Sequence, residues 1–387
     1  MPNLMCLMRF HLLFGFSLLV MISGCSTRQA KIADSIATAN PNFILYPSID
    51  LDLGEKLYPN EKKIAEEISL AIEKSIRKQY RPGSAQRDAH PKSHGCVKAN
   101  FNVMETIPDN LAKGIFIPGK NYQAWIRFSN GSSDATKPDI KMDARGMAIK
   151  VIGVPRKSLL EDTGQGTTQD FIMINHPVFF SNDPARYLSL INDQNSSSLF
   201  RKIHIPFALG VKGTMIALEA INKKISNPLH ARYWSMVPYQ LGTGPDRQAV
   251  KYSARSCTAN TDPMPNKPGH DFLRDALRDT LQRGEACMEF LVQPRTSNMM
   301  AVEDSMTEWQ ETKAPFYHVA TIRIPRQDFD TPDQNKFCEN LSFSPWHALP
   351  EHKPLGATNR LRKVIYRHIS RVRHEMNSTC SGQLCTR

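Results

Sequence analysis

The sequence predicts an α+β fold in which helices surround an antiparallel β-barrel. Two observations carry this expectation: short runs of alternating apolar residues recur along the chain, and segments of helical periodicity fall between and after them. Many strands with returning connections and flanking helices fit a barrel better than a parallel doubly wound sheet. The first element is a helix over about 60–80, capped near Asn60, with Ile64, Ile68, Ala71, Ile72 and Ile76 on one face. Tyr122, Ala124, Ile126 and Phe128 then alternate as a strand, as do Met147, Ile149 and Val151. Further strands are expected at 232–239, 249–256, 286–293 and 316–325, and helices at 184–193, 198–223, 271–283 and 358–374. With no internal repeat, long low-complexity tract or linker inside 46–375, that stretch reads as one folded region.

The last predicted helix carries chemistry. On a helix, Arg362, Tyr366 and Arg373 fall within about 40° of one another, beside an apolar stripe of Leu361, Ile365, Ile369 and Val372. A tyrosine ligates ferric iron well only as phenolate, and an arginine one turn earlier lowers the cost of that charge. The pattern therefore points to the proximal side of a haem bound through tyrosinate, with Tyr366 as the metal ligand. The basic run over residues 353–374 reads as part solvated face and part anion site rather than as a nucleic-acid helix.

A second cluster lies far upstream. Arg87-Asp88-Ala89-His90-Pro91-Lys92-Ser93-His94-Gly95 is followed by Arg127-Phe128-Ser129, Asp143-Ala144-Arg145-Gly146, Gln169-Asp170-Phe171 and Asn175-His176-Pro177-Val178-Phe179-Phe180. In this order and spacing the chain resembles the haem catalases, especially short bacterial members and catalase-type allene oxide synthases, from about residue 45 to 375. The resemblance implies a catalase-type barrel with a C-terminal proximal helix and non-covalent ferric haem b. It makes His90 the distal histidine, oriented by Ser129, with Arg87, Arg127 and Arg373 on the haem propionates. It also puts Phe179 and Phe180 on the distal channel, Tyr187 where the family usually has phenylalanine, and Arg362 with Tyr366 in the proximal signature. His94 reads as structural, and no carboxylate or cysteine pattern near it completes a zinc site.

There are departures. Where family catalases carry a distal asparagine, three residues before the proline, this chain has Ile174, and Asn175 stands one position late. On a strand that offset turns a side chain to the opposite face, so Asn175 reaches the distal site only through a bulge or local shift. His368 stands where aspartate is common after the proximal tyrosine, and with 21 residues following Tyr366 the chain is expected to do without the C-terminal helical region of full-length catalases.

Near the N-terminus, Arg9 and His11 precede an apolar run from Leu12 to Ile22 and then Ser23-Gly24-Cys25-Ser26, which resembles a lipoprotein signal with its lipobox. The expected organisation is a signal peptide at 1–24, a tether at 25–45 acylated on Cys25, the haem region at 46–375 and a tail at 376–387. That arrangement implies a periplasmic protein anchored to a membrane, the outer one given Ser26 after the cysteine. The net charge of +12 favours anionic lipid or acidic substrates without choosing between them. In an oxidising compartment Cys380 and Cys385 form the easiest disulfide to close, whereas pairings of Cys96, Cys257, Cys287 and Cys338 are not legible. Three functions fit the sequence: catalase or peroxidase action on hydrogen peroxide or organic hydroperoxides, rearrangement or cleavage of fatty-acid hydroperoxides, or haem holding without catalysis. Oligomeric state is not legible.

Overall fold

The structure, a computed structural model, describes residues 46–377 except 157, 161–166 and 197. The expected signal peptide, tether and Cys25, and the pair Cys380 and Cys385, lie outside the described residues. The described residues all belong to one compact unit that begins at Tyr46.

The described residues form nine strands and six helices, in the order α1 (Glu61–Gln79), β1 (Ser93–Val103), β2 (Asn121–Asn130), β3 (Arg145–Ile152), β4 (Thr168–Ile174), α2 (Pro184–Gln194), α3 (Leu199–Ile221), β5 (Tyr233–Trp234), β6 (Tyr239–Leu241), β7 (Gln248–Ser256), α4 (Phe272–Arg283), β8 (Ala286–Pro294), β9 (Tyr317–Ile324), α5 (Pro332–Asn340) and α6 (Ala357–Met376). Every pairing is antiparallel. Strands β1 to β5 pair in order, β5 pairs β7, and β7, β8 and β9 return to β1, so eight strands close a barrel with β6 added beside β7. Closure depends on the two-residue β5, where Trp234 pairs Ile174 on one side and Ser253 on the other.

The period-2 pattern fills the barrel. Phe101, Ile126, Phe128, Met147, Ile149, Phe171, Met173, Tyr252 and Phe290 belong to one buried core. Neighbouring residues of the other parity, including Arg127, Ser129, Gly146, Lys150, Asp170 and Ile174, therefore point away from it, which makes the outer face of β2, β3 and β4 available for a site.

Helix α6 packs on α1, where His368 Nε2 meets the Glu73 carboxylate at 2.6 Å. Its first turn is fixed by Arg360, fully buried and paired with Glu55 at 2.6 Å, Glu61 at 2.7 Å and Glu303 at 2.9 Å. Disulfides join Cys96 of β1 to Cys338 of α5, and Cys257 to Cys287 at the start of β8.

Three local expectations are corrected. The single strand over 232–239 is two short strands, because Met236 between them has φ +63°, outside extended backbone. The helix over 198–223 breaks at Gly210, whose φ of 68° and ψ of 175° leave the helical region. Asn60 occupies the N-cap position of α1 in the left-handed region and makes no side-chain cap. Instead the Glu61 carboxylate accepts the Tyr58 N–H at 3.1 Å.

Candidate functional site

His90 ends the loop that enters β1. Its backbone has φ +62°, and its carbonyl is held by Arg127 Nη2 at 2.8 Å. The ring lies against the outer face of the barrel, where Nδ1 is 3.0 Å from Ser129 Oγ. Gly146, paired with Ser129 across β2 and β3, makes room for it: a Cβ there would stand 2.5 Å from His90 Nδ1. Burial first, and then the charges of Arg127, Arg362 and Arg87, lower the imidazole pKa to about 4. The ring is therefore a neutral proton acceptor at pH 7.

Gly146 pairs Ile174 on its other side, so Ser129, Gly146 and Ile174 form a row across three strands of the outer face. The β3–β4 register is regular to that point, with no bulge. Asn175 therefore does not join His90. Its Oδ1 accepts the Arg145 N–H at 2.8 Å and its own N–H donates to the Arg145 carbonyl at 2.9 Å. The route that would have carried the amide to the distal side is absent, and an aliphatic side chain stands in the row beside His90.

The proximal residues arrive from α6. Arg362 is buried, with its guanidinium carbon 5.4 Å from the Phe179 ring centre. Phe179, Phe180 and Tyr187 form an aromatic wall, with centroids 4.2 Å apart for the phenylalanines and 5.7 Å for Phe179 and Tyr187. Burial raises the Tyr187 phenol pKa; Arg362 opposes the rise, while Tyr366 and Asp88 add to it. Arg362 of α6 thus closes against the aromatic wall, near enough to the upstream loop for its charge to act on His90. A flat macrocycle between the two sides requires the Arg362–Phe179 contact to part.

Three guanidiniums gather near Glu339 at the end of α5. Arg87 Nη1 is 2.7 Å from the Glu339 carboxylate, and its Nη2 donates to the Leu341 and Cys338 carbonyls at 2.6 and 3.2 Å. Arg373 Nη1 lies 3.6 Å from Glu339 Oε1 and also donates to the Glu339 carbonyl. Arg127 is buried, and its Nε has no hydrogen-bond partner. Burial and neighbouring arginines bring Arg127 and Arg373 down to about 9, with Glu339 as the opposing carboxylate. Arg87 and Arg373 share the Glu339 carboxylate while buried Arg127 has no carboxylate in contact among the described residues, so the cluster keeps a positive excess that a further anion would offset. Two carboxylates such as haem propionates suit that excess, and a phenol whose ionisation Arg362 eases suits ferric iron.

Lys92 and His94 serve the frame. Lys92 Nζ bonds Asp139 at 2.8 Å and Asp271 at 2.7 Å, and buried His94 Nε2 meets Asn130 Oδ1 at 2.8 Å. Among the described residues no cluster of three or more His, Cys, Asp or Glu is arranged to hold a metal ion. Sequence reasoning missed two participants. Asp88, two residues before His90, has its carboxyl pushed up to about 6 by burial, and its place inside the distal motif was the available signal. Glu339 joins Arg87 and Arg373 only through the fold, and nothing local marks it.

Comparison with known proteins agrees with the fold. Residues 69–200 match the family model described as catalase. A fungal catalase structure is 16% identical at TM-score 0.57, covering 74% of this chain and 58% of its own. Catalase A from Saccharomyces cerevisiae is 19% identical at TM-score 0.58, covering 87% and 71%. A bacterial catalase is 16% identical at TM-score 0.56, covering 88% and 66%. The chain thus spans less than two thirds of the length of two of these three. No curated protein sequence matches it. The barrel is the fold of these catalase structures, and residues 69–200 carry the segment that matches the catalase family model.

Proposed function

We propose that this protein is a haem-dependent catalase- or peroxidase-like oxidoreductase that breaks down hydrogen peroxide or organic hydroperoxides. The observation that carries the reading is the convergence of a neutral, Ser129-oriented His90, the Tyr366–Arg362 face of α6 and an anion-deficient cradle of Arg87, Arg127 and Arg373. Ferric haem b, when bound, supplies the redox centre at which a peroxide O–O bond is cleaved. Tyr366 would hold its iron, Arg362 would ease ionisation of that phenol, and the three arginines would hold the propionates.

The chain's own part in the reaction is proton handling. With Nδ1–H donated to Ser129 Oγ, the other imidazole nitrogen is free to accept the hydroperoxide proton and return it to the departing oxygen. Phe179, Phe180 and Tyr187 present an apolar wall that excludes water. Ile174 offers no hydrogen bond beside His90, so a second oxygen is not held there by an amide. This favours organic hydroperoxides over hydrogen peroxide and supports, as a second reading, a fatty-acid hydroperoxide isomerase or lyase.

We further propose that the protein is a periplasmic lipoprotein anchored to the outer membrane through Cys25. The two disulfides are consistent with an oxidising compartment. The test is turnover by the purified haem-loaded protein. Oxygen release from hydrogen peroxide indicates catalase, oxidation of an organic donor indicates peroxidase, and rearrangement without a reductant indicates the isomerase. No turnover with any peroxide, together with ready haem release to an apo-acceptor, would leave only haem holding.

A further inference from the structure

Helix α3 exposes the wrong residues for a helix bathed in water. Phe200, Ile203, Phe207, Val211, Met215 and Leu218 recur at intervals of three and four and are 51 to 86% exposed. In the second half of the helix, Val211, Met215 and Leu218 fall within about 60° of one another. Gly213, Ile216 and Ala220, on the opposite side, are buried. The helix is thus apolar on both sides, and only one side is covered by protein.

We infer that α3 is a membrane-docking helix that lies flat in the headgroup region of an anionic bilayer. Length and composition would let Ile203–Ile221 cross a membrane, but the fold does not. Ala208, Gly213, Ile216 and Ala220 bury one side along both halves, and Gly210 breaks the axis between them, so the helix is fastened lengthwise to the domain. The surrounding charge selects the occupant. From residue 199 to 224 the sequence holds Arg201, Lys202, Lys212, Lys223 and Lys224 against the single acid Glu219. Two copies meeting face to face through this stripe would bring the exposed Arg201, Lys212 and Lys224 of both together, whereas anionic headgroups neutralise them while the acyl region receives the apolar side chains.

The covered side gives the docking a purpose, and this part rests on the proposed peroxide chemistry. Gly213 sits so close to the Phe180 carbonyl that a Cβ there would be 2.5 Å away. Helix α3 also packs on α2, which carries Tyr187. The docked helix therefore backs directly onto the aromatic wall of the site. Hydroperoxides of membrane acyl chains are the substrate class delivered along this path.

Hydrogen exchange on the full chain tests the docking without relying on haem or turnover. Vesicles of phosphatidylcholine with phosphatidylglycerol are expected to slow exchange across α3 at least tenfold, and the triple variant Phe207→Gln, Val211→Gln, Leu218→Gln is expected to lose that protection. Because the three side chains are exposed, an unchanged unfolding curve shows that the variant is folded. The idea is overturned if vesicles give no protection, if the variant is protected equally, or if protection appears without lipid as protein concentration rises, which would mean a second copy. In the haem-loaded protein the triple variant should raise KM for a vesicle-embedded hydroperoxide at least fivefold and leave kinetics with a water-soluble peroxide unchanged. An equal change in both removes the delivery role while leaving the peroxide chemistry intact.

Discussion

Lowering the pH of the haem-free protein below about 6.5, the reference value for histidine, should destabilise it steeply. His352 is fully buried inside the barrel, where Nε2 accepts the Ile115 N–H at 3.0 Å and Nδ1 faces the Tyr252 hydroxyl at 2.8 Å. A proton on Nε2 would confront that N–H, and burial brings the ring down to about 3. Burial likewise brings His94 and His90 to about 4. A base whose folded pKa lies below its unfolded one contributes stability that is complete above the unfolded value and is lost as pH falls toward the folded value. Asp88 acts oppositely, since its carboxyl is raised to about 6 and the folded state gains a proton there before the unfolded chain does.

These three histidines less the Asp88 carboxyl contribute an uptake of about two protons on unfolding between about pH 6 and 4.5, or a slope of about 3 kcal/mol per pH unit, which Asp143, raised by burial, and His270, raised by Asp271, partly offset. Urea unfolding at several pH values measures it. His352→Gln keeps an acceptor for Ile115 but cannot titrate, so its slope should be shallower by about 1.4 kcal/mol per pH unit. A stability that stays flat from neutral pH to about 4.5, or a variant slope equal to the parent's, would refute the reasoning.

Tyr366→Phe should remove the ferric tyrosinate absorption of the haem-loaded protein, and an unchanged spectrum would assign the iron to another ligand. Ile174→Asn places an amide in the row with Gly146 and Ser129, and oxygen evolution from hydrogen peroxide should rise by roughly a hundredfold, the low end of the range for one aligned hydrogen-bond donor. Arg360→Met strands three buried or half-buried carboxylates at the start of α6 and should cost about 3–5 kcal/mol in unfolding free energy, with weaker haem retention.

The elements that sequence exposes are those whose pattern is local. Alternation at Tyr122–Phe128 and Met147–Val151 marks β2 and β3, and the helix expected over 358–374 lies within α6. The local spacing of Arg362 and Tyr366 was likewise sufficient to align them on one helix. Backbone breaks at Met236 and Gly210 were not legible, because a single left-handed residue barely disturbs hydrophobic periodicity. Barrel closure was hidden for a different reason: β5 has two residues, and its partners lie far along the chain. At the site, the one-residue offset of Asn175 was visible but its outcome was not, since only the β3–β4 register decides whether a bulge corrects it. Helix α5 and its Glu339 were missed because their role is set by tertiary contact with Arg87 and Arg373.

The bridge from Cys96 to Cys338 has a consequence for the arginine cluster. It closes a span of 242 residues, a constraint worth about 5 kcal/mol against the unfolded chain. It also clamps the end of α5, whose Cys338 and Glu339 carbonyls, with that of Leu341 just beyond, receive the Arg87 and Arg373 guanidiniums. Thiol oxidation and rigidity of the arginine cluster are therefore coupled, so reduction of the Cys96–Cys338 bridge would loosen the carbonyls that hold Arg87 and Arg373.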